Sequence, residues 1–235
     1  ERCKSFLDFA LYVTFFPQLV AGPIVRATDF LPQCEKPKRA NRDQFGWGLY
    51  FITLGLFQKV VLADGMLSSA SDTVFNFKGE SIFIFDAWLG LLAFSAQIFC
   101  DFAGYSTCAI GVALCLGFIL PDNFRSPYAA IGFSDFWRRW HITLSSWLRD
   151  YLYIPLGGNR HGTSRTLFNL MFTMFLGGLW HGASWTFIVW GLLHGAYLVI
   201  EHLLRQNFSG IQWVKPLGGR FFLTLTTFIF VSIAW

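Results

Sequence analysis

The sequence predicts an all-α polytopic membrane protein. Of its 235 residues, 54% are hydrophobic and 14% are charged, whereas soluble domains carry about 25% charged residues. So few charges cannot cover so much apolar surface in water, so we expect lipid to be part of the protein's solvent. The apolar residues also fall into runs near the length of a membrane-crossing helix, which takes about 20 residues.

The two ends of the chain look cut. It begins at Glu1 without the charged-then-apolar pattern of a signal peptide, and it stops inside the apolar run 221–235. That run is shorter than the roughly 20 helical residues that cross a bilayer. We therefore expect one membrane-embedded domain over residues 1–235, truncated at both ends.

The positive charge indicates a membrane protein and not a nucleic-acid binder. The net charge is +4, but the cations lie in loops between apolar runs, as the positive-inside rule expects of cytoplasmic loops. We expect the lipid bilayer as a partner and no nucleic acid. The cysteines lack metal-ligand spacing and do not suggest a disulfide framework, so no metal site is predicted; they are Cys3, Cys34, Cys100, Cys108 and Cys115.

The sequence of the first half of the chain predicts one interrupted helical segment, followed by uninterrupted helices with loops between them. Residues 6–25 are apolar but interrupted by Pro17 and Pro23, which favours a kinked or re-entrant segment. We expect a basic cytoplasmic loop over residues 26–42 and then a helix over 45–62, with Lys59 snorkelling near its end. A more polar surface loop is expected over residues 64–79. Two apolar runs follow, 82–99 and 103–120, separated at Asp101.

The second half predicts one interfacial helix between apolar ones. Residues 134–153 read as an amphipathic helix, capped by Ser134 and too polar to cross lipid. Residues 167–179 are apolar and run into Trp180-His181-Gly182, and residues 184–204 form another spanning candidate. The interfacial helix would place one set of polar side chains on a shared face, since they recur three or four residues apart; these are Arg138, His141, Ser145 and Arg149.

His181 is the first candidate for chemistry. It follows Trp180, and Gly177, Gly178 and Gly182 around it allow a helix or a substrate to come close. A neutral imidazole can remove a proton from a hydroxyl group and so make its oxygen a nucleophile. The alternative is a buried histidine that makes one structural hydrogen bond.

His141 is the second candidate, among Arg138, Arg139 and Arg149. Nearby guanidinium groups disfavour protonation of an imidazole and favour anions, so this set could grip the phosphates of an acyl-CoA or of an anionic carrier. The alternative is a basic face that anchors to lipid headgroups.

Asp101 and Tyr105, four residues apart, could form a polar pair beside a cavity, or Asp101 could serve a helix end. The remaining histidines carry weaker expectations. His161 and His202 read as surface or interfacial residues. If residues 181–194 were one helix, His181 and His194 would lie on different faces about 20 Å apart, so we do not expect them to act on the same atom.

Four motifs then occur in order: DFAGYS at 101–106, FWRRWHITLS at 136–145, WLRDYLYIPLGGNR at 147–160 and GLWHGASW at 178–185. Together they closely resemble the membrane-bound O-acyltransferase (MBOAT) family, in its bacterial alginate O-acetyltransferase branch. The resemblance implies a helical bundle with re-entrant and amphipathic helices around a tunnel. It also implies that His181 is the catalytic base and that His141 is a second active-site residue on that tunnel.

The resemblance implies a reaction and its partners as well. An acetyl thioester such as acetyl-CoA would enter from the cytosol, with no bound cofactor, and its carbonyl would be polarised near His141. His181 would activate a hydroxyl of an exported, alginate-like polysaccharide, or the acetyl group would pass to a periplasmic relay acetyltransferase. Substrate-binding roles are expected for Arg138, Arg139, Arg149, Trp180, Asp101 and Tyr105. The location would be the bacterial inner membrane.

Three other functions stay open. D-alanine transfer to teichoic acids belongs to nearby members of the same family, and the departures at 106–108 and 129–132 leave the acceptor undecided. A transporter is suggested by broken helices with intramembrane polar groups. A haem-binding redox protein would need His181 and His194 on one spanning helix and further axial ligands from elsewhere.

Overall fold

A computed structural model of the protein describes residues 5–19, 21–79, 81–207 and 217–235, and over these residues all regular structure is helical. This confirms the predicted all-α class. Contacts divide the chain into two compact units, Glu1–Asn123 and Phe124–Trp235. The prediction of a single membrane domain stays a prediction, as does the tunnel.

Four helices in the described part of the chain are long and apolar enough to cross a membrane: Arg42–Phe75, Ile84–Cys115, Trp185–Asn207 and Leu217–Ala234. The last of these corrects the expectation that the final run is too short. The helix begins four residues earlier than the apolar run, at Leu217, and reaches 18 residues. The chain is therefore a multi-pass membrane protein.

The first unit opens with the predicted interruption. Helix α1 (Phe6–Thr14) ends before Pro17, and a 3-10 turn over Phe16–Gln18 follows. Residues 26–42 are not entirely a loop, because helix α2 (Ala27–Cys34) forms within them. Its Phe30 is fully buried and lies 4.9 Å from Phe15 and 5.1 Å from Phe118 between ring centres. This aromatic packing stabilises a short helix that its sequence alone does not predict.

The third helical segment is longer than predicted. Helix α3 (Arg42–Leu56) begins at a capping box, in which Asn41 and Gln44 bond each other's backbone N–H groups at 2.8 and 3.1 Å. A π-helical stretch (Phe57–Leu67) and helix α4 (Ser68–Phe75) continue it. Most of the loop expected over 64–79 is therefore helical.

Polar pairs explain why this segment stays helical. Lys59 does not snorkel from a helix end but lies within the continuous segment, 2.8 Å from Asp64 and 2.6 Å from Asp101. The Ser71 hydroxyl lies 2.6 Å from Gln97 Oε1. Helix α5 (Ile84–Cys115) carries both Asp101 and Gln97 and joins the two expected apolar runs into one helix of 32 residues. Asp101 is thus neither a break nor a helix end.

Glycines allow α3 and α5 to pack backbone against backbone. A Cβ atom at Gly104 would lie 2.7 Å from Gly55 O and 2.9 Å from Lys59 N. Small residues at such contacts are a common basis of helix association in lipid.

We expect Gly104→Ala to destabilise the first unit, because no flexible side chain there can move aside. The loss should be about 1–3 kcal/mol, as for overpacking elsewhere. Gly46→Ala is the matched control, since a Cβ at Gly46 meets nothing within 4 Å. Thermal unfolding of the detergent-solubilised variants measures both; equal midpoints for the two would contradict this account of the contact.

The second unit contains the expected interfacial segment in broken form. Residues 134–153 form helix α6 (Phe133–Trp137), helix α7 (Ile142–Leu148) and a π-helical turn (Arg149–Tyr153). Helix α8 (Thr163–His181), helix α9 (Trp185–Asn207) and helix α10 (Leu217–Ala234) follow.

Buried polar groups fix the start of α6. Ser134 is not its cap; the backbone N–H of Ser134 donates to Glu201 Oε2 of α9 at 2.8 Å. The N–H of Gly132 donates to Thr227 Oγ1 of α10 at 2.9 Å. Glu201 is buried and ion-paired with Arg205 at 2.5 Å. Two helices therefore hold the backbone that leads into the Trp137–His141 turn.

Candidate active site

His181 is the last residue of α8, and three aromatic rings surround its imidazole. Ring centres lie 5.1 Å away for Trp180, 5.8 Å for Phe187 and 5.0 Å for Trp190. His181 is exposed, and Trp180 is 59% exposed. The imidazole is therefore held by aromatic contacts and remains accessible to a reactant.

The hairpin of α8 and α9 positions this imidazole. The glycines predicted to permit close approach do so at Gly178, where a Cβ would collide with Phe187 O. On α9, a Cβ at Gly191 would lie 2.5 Å from Met174 O and 3.2 Å from Gly178 Cα. This backbone contact brings Phe187 and Trp190 of α9 against the end of α8, so the glycines fix the surroundings of His181.

His141 lies at the break between α6 and α7, in a left-handed backbone conformation with φ 42° and ψ 55°. A residue other than glycine in this region is uncommon and often marks a functional site. Its carbonyl accepts the first hydrogen bond of α7, from Ser145 N at 2.9 Å. The side chain is 4% exposed.

The structure brings His141 and His181 together around Trp180. The His141 ring centre lies 6.4 Å from that of Trp180, which in turn contacts His181. Burial, together with the smaller effect of the nearby His181, lowers the pKa of His141 from 6.5 to about 3. His141 is therefore a neutral imidazole near pH 7, able to donate one hydrogen bond and accept another.

The break at His141 corrects the predicted shared face. Arg138, His141, Ser145 and Arg149 do not lie on one continuous helix, because the chain turns at 138–141 before α7 starts. Asp135 supplies part of the reason. Its carboxylate accepts from Ile131 N at 3.0 Å and from Arg139 Nε at 2.9 Å, which stabilises the short α6 turn.

The predicted arginines line a cavity of about 720 Å³ in the second unit. Arg138, Arg139 and Arg149 contribute to its wall together with Arg125, a residue that the sequence did not single out. Four guanidinium groups face one carboxylate there, that of Asp135. The cavity therefore favours an anion.

The cavity arginines differ in how they are paired. Arg139 is closely bound to Asp135, whereas Arg138 Nε is 3.9 Å from the same carboxylate and its side chain is 65% exposed. Arg149 pairs at 2.7 Å with Asp150, which lies outside the cavity lining, and its side chain is 60% exposed. Of the three predicted arginines, Arg138 and Arg149 are thus more available to a ligand than Arg139.

An aromatic contact connects this cavity with the histidines. Trp137 is part of the cavity wall, and its ring centre lies 5.7 Å from that of Trp190. Trp190 in turn contacts His181, with ring centres 5.0 Å apart. Trp137 and Trp190 therefore connect the arginine-lined cavity with the two histidines.

Two predicted site residues belong to the first unit. Asp101 pairs with Lys59 on the neighbouring segment, and the structure gives no bond between Asp101 and Tyr105 among the residues it describes. The predicted Asp101–Tyr105 pair is therefore replaced by an Asp101–Lys59 ion pair. Their substrate-binding role stays a prediction.

The other histidines divide in two. His161 is exposed, as predicted. His202 is partly buried, next to the buried Glu201, and its interfacial location stays a prediction. His194 was placed far from His181 on the premise of one helix, but residues 182–184 turn the chain and the two histidines lie on different helices. Trp190 contacts both of them, and the single-helix basis of the haem interpretation is wrong.

Known proteins resemble this chain over almost all of its length. The family model described as MBOAT, membrane-bound O-acyltransferase family, matches residues 3–234. A peptidoglycan O-acetyltransferase of Helicobacter pylori is 44% identical over 99% of this chain and 44% of its own length. A protein of Azotobacter vinelandii named "probable alginate O-acetylase AlgI" is 44% identical over the same shares.

A teichoic acid D-alanyltransferase of Bacillus subtilis is more distant, at 29% identity over 86% of this chain and 53% of its own length. The chain thus spans less than half the length of the two more similar relatives. The family match, in contrast, covers nearly all of the chain. The chain belongs to the membrane-bound O-acyltransferase family.

Proposed function

We propose that the protein transfers an acetyl group from a cytosolic thioester to a hydroxyl group of an exported polysaccharide, directly or through a periplasmic relay protein. The observation that carries the proposal is the meeting of His141 and His181 around Trp180, next to a cavity lined by arginines. Acyl transfer needs a base for the attacking hydroxyl, polarisation of the carbonyl and a site for the donor.

In this proposal His181 is the general base. Its imidazole is accessible and held by aromatic contacts, so it can take the proton of a hydroxyl as the oxygen attacks the thioester carbonyl. The buried His141 donates a hydrogen bond to the carbonyl oxygen, on which negative charge develops. The thiolate leaves, and the proton on His181 is released to it or to water. Trp180 contacts both imidazoles.

The arginine cavity is the proposed donor site. Acetyl-CoA carries phosphate groups, and guanidinium groups bind phosphates through charge-assisted hydrogen bonds. Arg138 and Arg149 would hold them, and Arg139 shapes the turn through Asp135. Trp137 and Trp190 lead from the cavity towards the histidines, and the thioester arm would lie along these two rings. No cofactor is required in this scheme.

The names of the relatives support a proposal for the acceptor. One of the two more similar relatives is named for peptidoglycan and the other for alginate, so the proposed acceptor is a cell-envelope or exported glycan of the alginate kind. Such a reaction would take place in the bacterial inner membrane, with the donor on the cytosolic side. The teichoic acid relative supports a second candidate, transfer of D-alanine.

Product analysis distinguishes these possibilities. The gene for the full-length protein is deleted from its host and then restored. Glycan fractions of each strain are treated with mild alkali, which releases ester-linked groups. Acetate that depends on the protein supports the proposal, and the fraction that releases it identifies the acceptor. Protein-dependent release of D-alanine instead would favour the second candidate, and release of neither would contradict acyl transfer to a glycan.

A further inference from the structure

His194 is a buried polar residue that the proposed reaction does not use. Its side chain is fully buried on α9. Neither ring nitrogen has a hydrogen-bond partner within the parts of the chain that the structure describes. An imidazole in this state costs free energy, whereas an apolar ring of the same shape would not. Packing of the helices therefore does not explain a histidine at this position.

The surroundings of His194 are aromatic rings with hydrogen-bond donors. Ring centres lie 4.8 Å away for Trp190, 5.1 Å for Trp137 and 5.8 Å for Trp235. The indole nitrogens of all three also have no partner among the described residues. An indole N–H can donate but not accept, so these rings cannot satisfy one another. A neutral His194 supplies the acceptor that they lack.

Trp190 is the nearest of these rings and also the one that contacts His181. Its ring centre lies 4.8 Å from His194 and 5.0 Å from His181. The described side chains have no hydrogen bond between the indole N–H and His194, and forming one would need a rotation of one of the two rings. Such a bond would fix the plane of the indole, and with it one wall of the space in which the His181 ring turns.

The geometry points to His194 as a positioning residue for His181, acting through the indole of Trp190. This inference rests on the proposed function, because it assigns a role in the reaction at His181. His194 touches neither reactant in this scheme. Its nitrogens serve the orientation of the base, whereas the packing of the helix pair needs only a ring of this size.

A double-mutant cycle tests the inference. Membrane vesicles that contain the full-length protein are supplied with radiolabelled acetyl-CoA, and label on glycan is measured for the wild type, His194→Phe, Trp190→Phe and the double variant. We expect His194→Phe to lower kcat about tenfold and leave the KM for acetyl-CoA within twofold, as loss of orientation would. The double variant should be no slower than the slower single variant, since both remove one interaction.

Two further variants separate positioning from packing. His194→Gln keeps a donor and an acceptor and should recover part of the rate. The thermal midpoint of His194→Phe should stay close to that of the wild type, because the phenyl ring keeps the packing of the imidazole and only one hydrogen bond is lost. If His194→Phe does not reach the membrane, His194→Met serves as the apolar variant. His161→Phe, at an exposed histidine, is the matched control and should retain the full rate.

The inference is overturned if His194→Phe keeps the wild-type kcat, if the two single effects multiply in the double variant, or if His194→Gln is as slow as His194→Phe. His181→Ala in the same assay keeps the two proposals apart. An inactive His181→Ala with a fully active His194→Phe removes the role of His194 alone. A wild-type protein that transfers no acetyl group contradicts the proposed function itself.

Discussion

Replacement of His181 by alanine is expected to remove ester-linked acetate from the glycan while the protein still inserts into the membrane. The imidazole lies at the exposed end of α8, where its contacts are Trp180, Phe187 and Trp190. Alanine at this position leaves the hairpin glycines unchanged, so the fold should persist. Loss of a general base lowers the rate by roughly 10²–10⁴-fold, which would bring the acetate content of cells close to background.

His161→Ala is the matched control for this variant. His161 is an exposed histidine in the same unit and does not line the arginine cavity, so its replacement should leave acetylation unchanged. Immunoblots of membrane fractions and gel filtration in detergent establish that both variants are folded. Acetate content within twofold of the wild type in a folded His181→Ala protein would contradict the assignment of the base.

The double variant Arg138→Ala/Arg149→Ala is expected to raise the KM for acetyl-CoA with little change in kcat. These two guanidinium groups line the cavity, and their side chains are more exposed than that of Arg139. A hydrogen bond to a charged group contributes about 1.5–3 kcal/mol, and each 1.4 kcal/mol corresponds to tenfold in affinity. We therefore expect an increase in KM of at least about tenfold, and a weaker dependence of KM on salt.

An acetyl thioester without phosphate groups, S-acetyl-N-acetylcysteamine, gives the sharper comparison. The wild type should prefer acetyl-CoA, and the double variant should lose most of that preference. Arg160→Ala is the control, because Arg160 is exposed and does not line the cavity. If the double variant keeps the wild-type preference for acetyl-CoA, the cavity is not the phosphate site.

The sequence predicted the helical class and most apolar segments, but it did not predict where helices continue through polar residues. Asp101 and the stretch after Asp64 looked like interruptions because each places polar groups in an apolar context. The structure pairs Lys59 with both Asp64 and Asp101. The Lys59–Asp101 pair joins residues 42 positions apart, so no local pattern can reveal it.

The opposite error occurred around His141. Regular spacing predicted one helix over 134–153, yet the chain breaks at His141, which adopts a positive φ. Glu201, Thr227 and Asp135 hold this turn through the hydrogen bonds at Gly132, Ser134, Ile131 and Arg139. Helical periodicity describes each short piece but cannot show that buried groups of α9 and α10 hold the backbone between them.

The sequence predicted most residues of the candidate site but not how they are arranged in space. His181, His141, Trp180 and three of the four cavity arginines were found from the sequence, whereas Arg125, Trp137 and Trp190 were not. Trp190 and Phe187 approach His181 because Gly178 and Gly191 let α8 and α9 touch. The run of tryptophans offered a signal, but apolar residues in a membrane protein are too common for it to stand out.

Separate measurement of donor binding and of acetyl transfer tests the central claim most directly. Purified full-length wild type and His181→Gln are reconstituted in liposomes, and each is assayed for binding of a non-transferable acetyl-CoA analogue and for single-turnover transfer of acetyl to glycan. If His181 is the base, His181→Gln should bind the analogue within about twofold of the wild type and transfer at least about 100-fold more slowly. Equal binding with transfer at the wild-type rate would contradict the account.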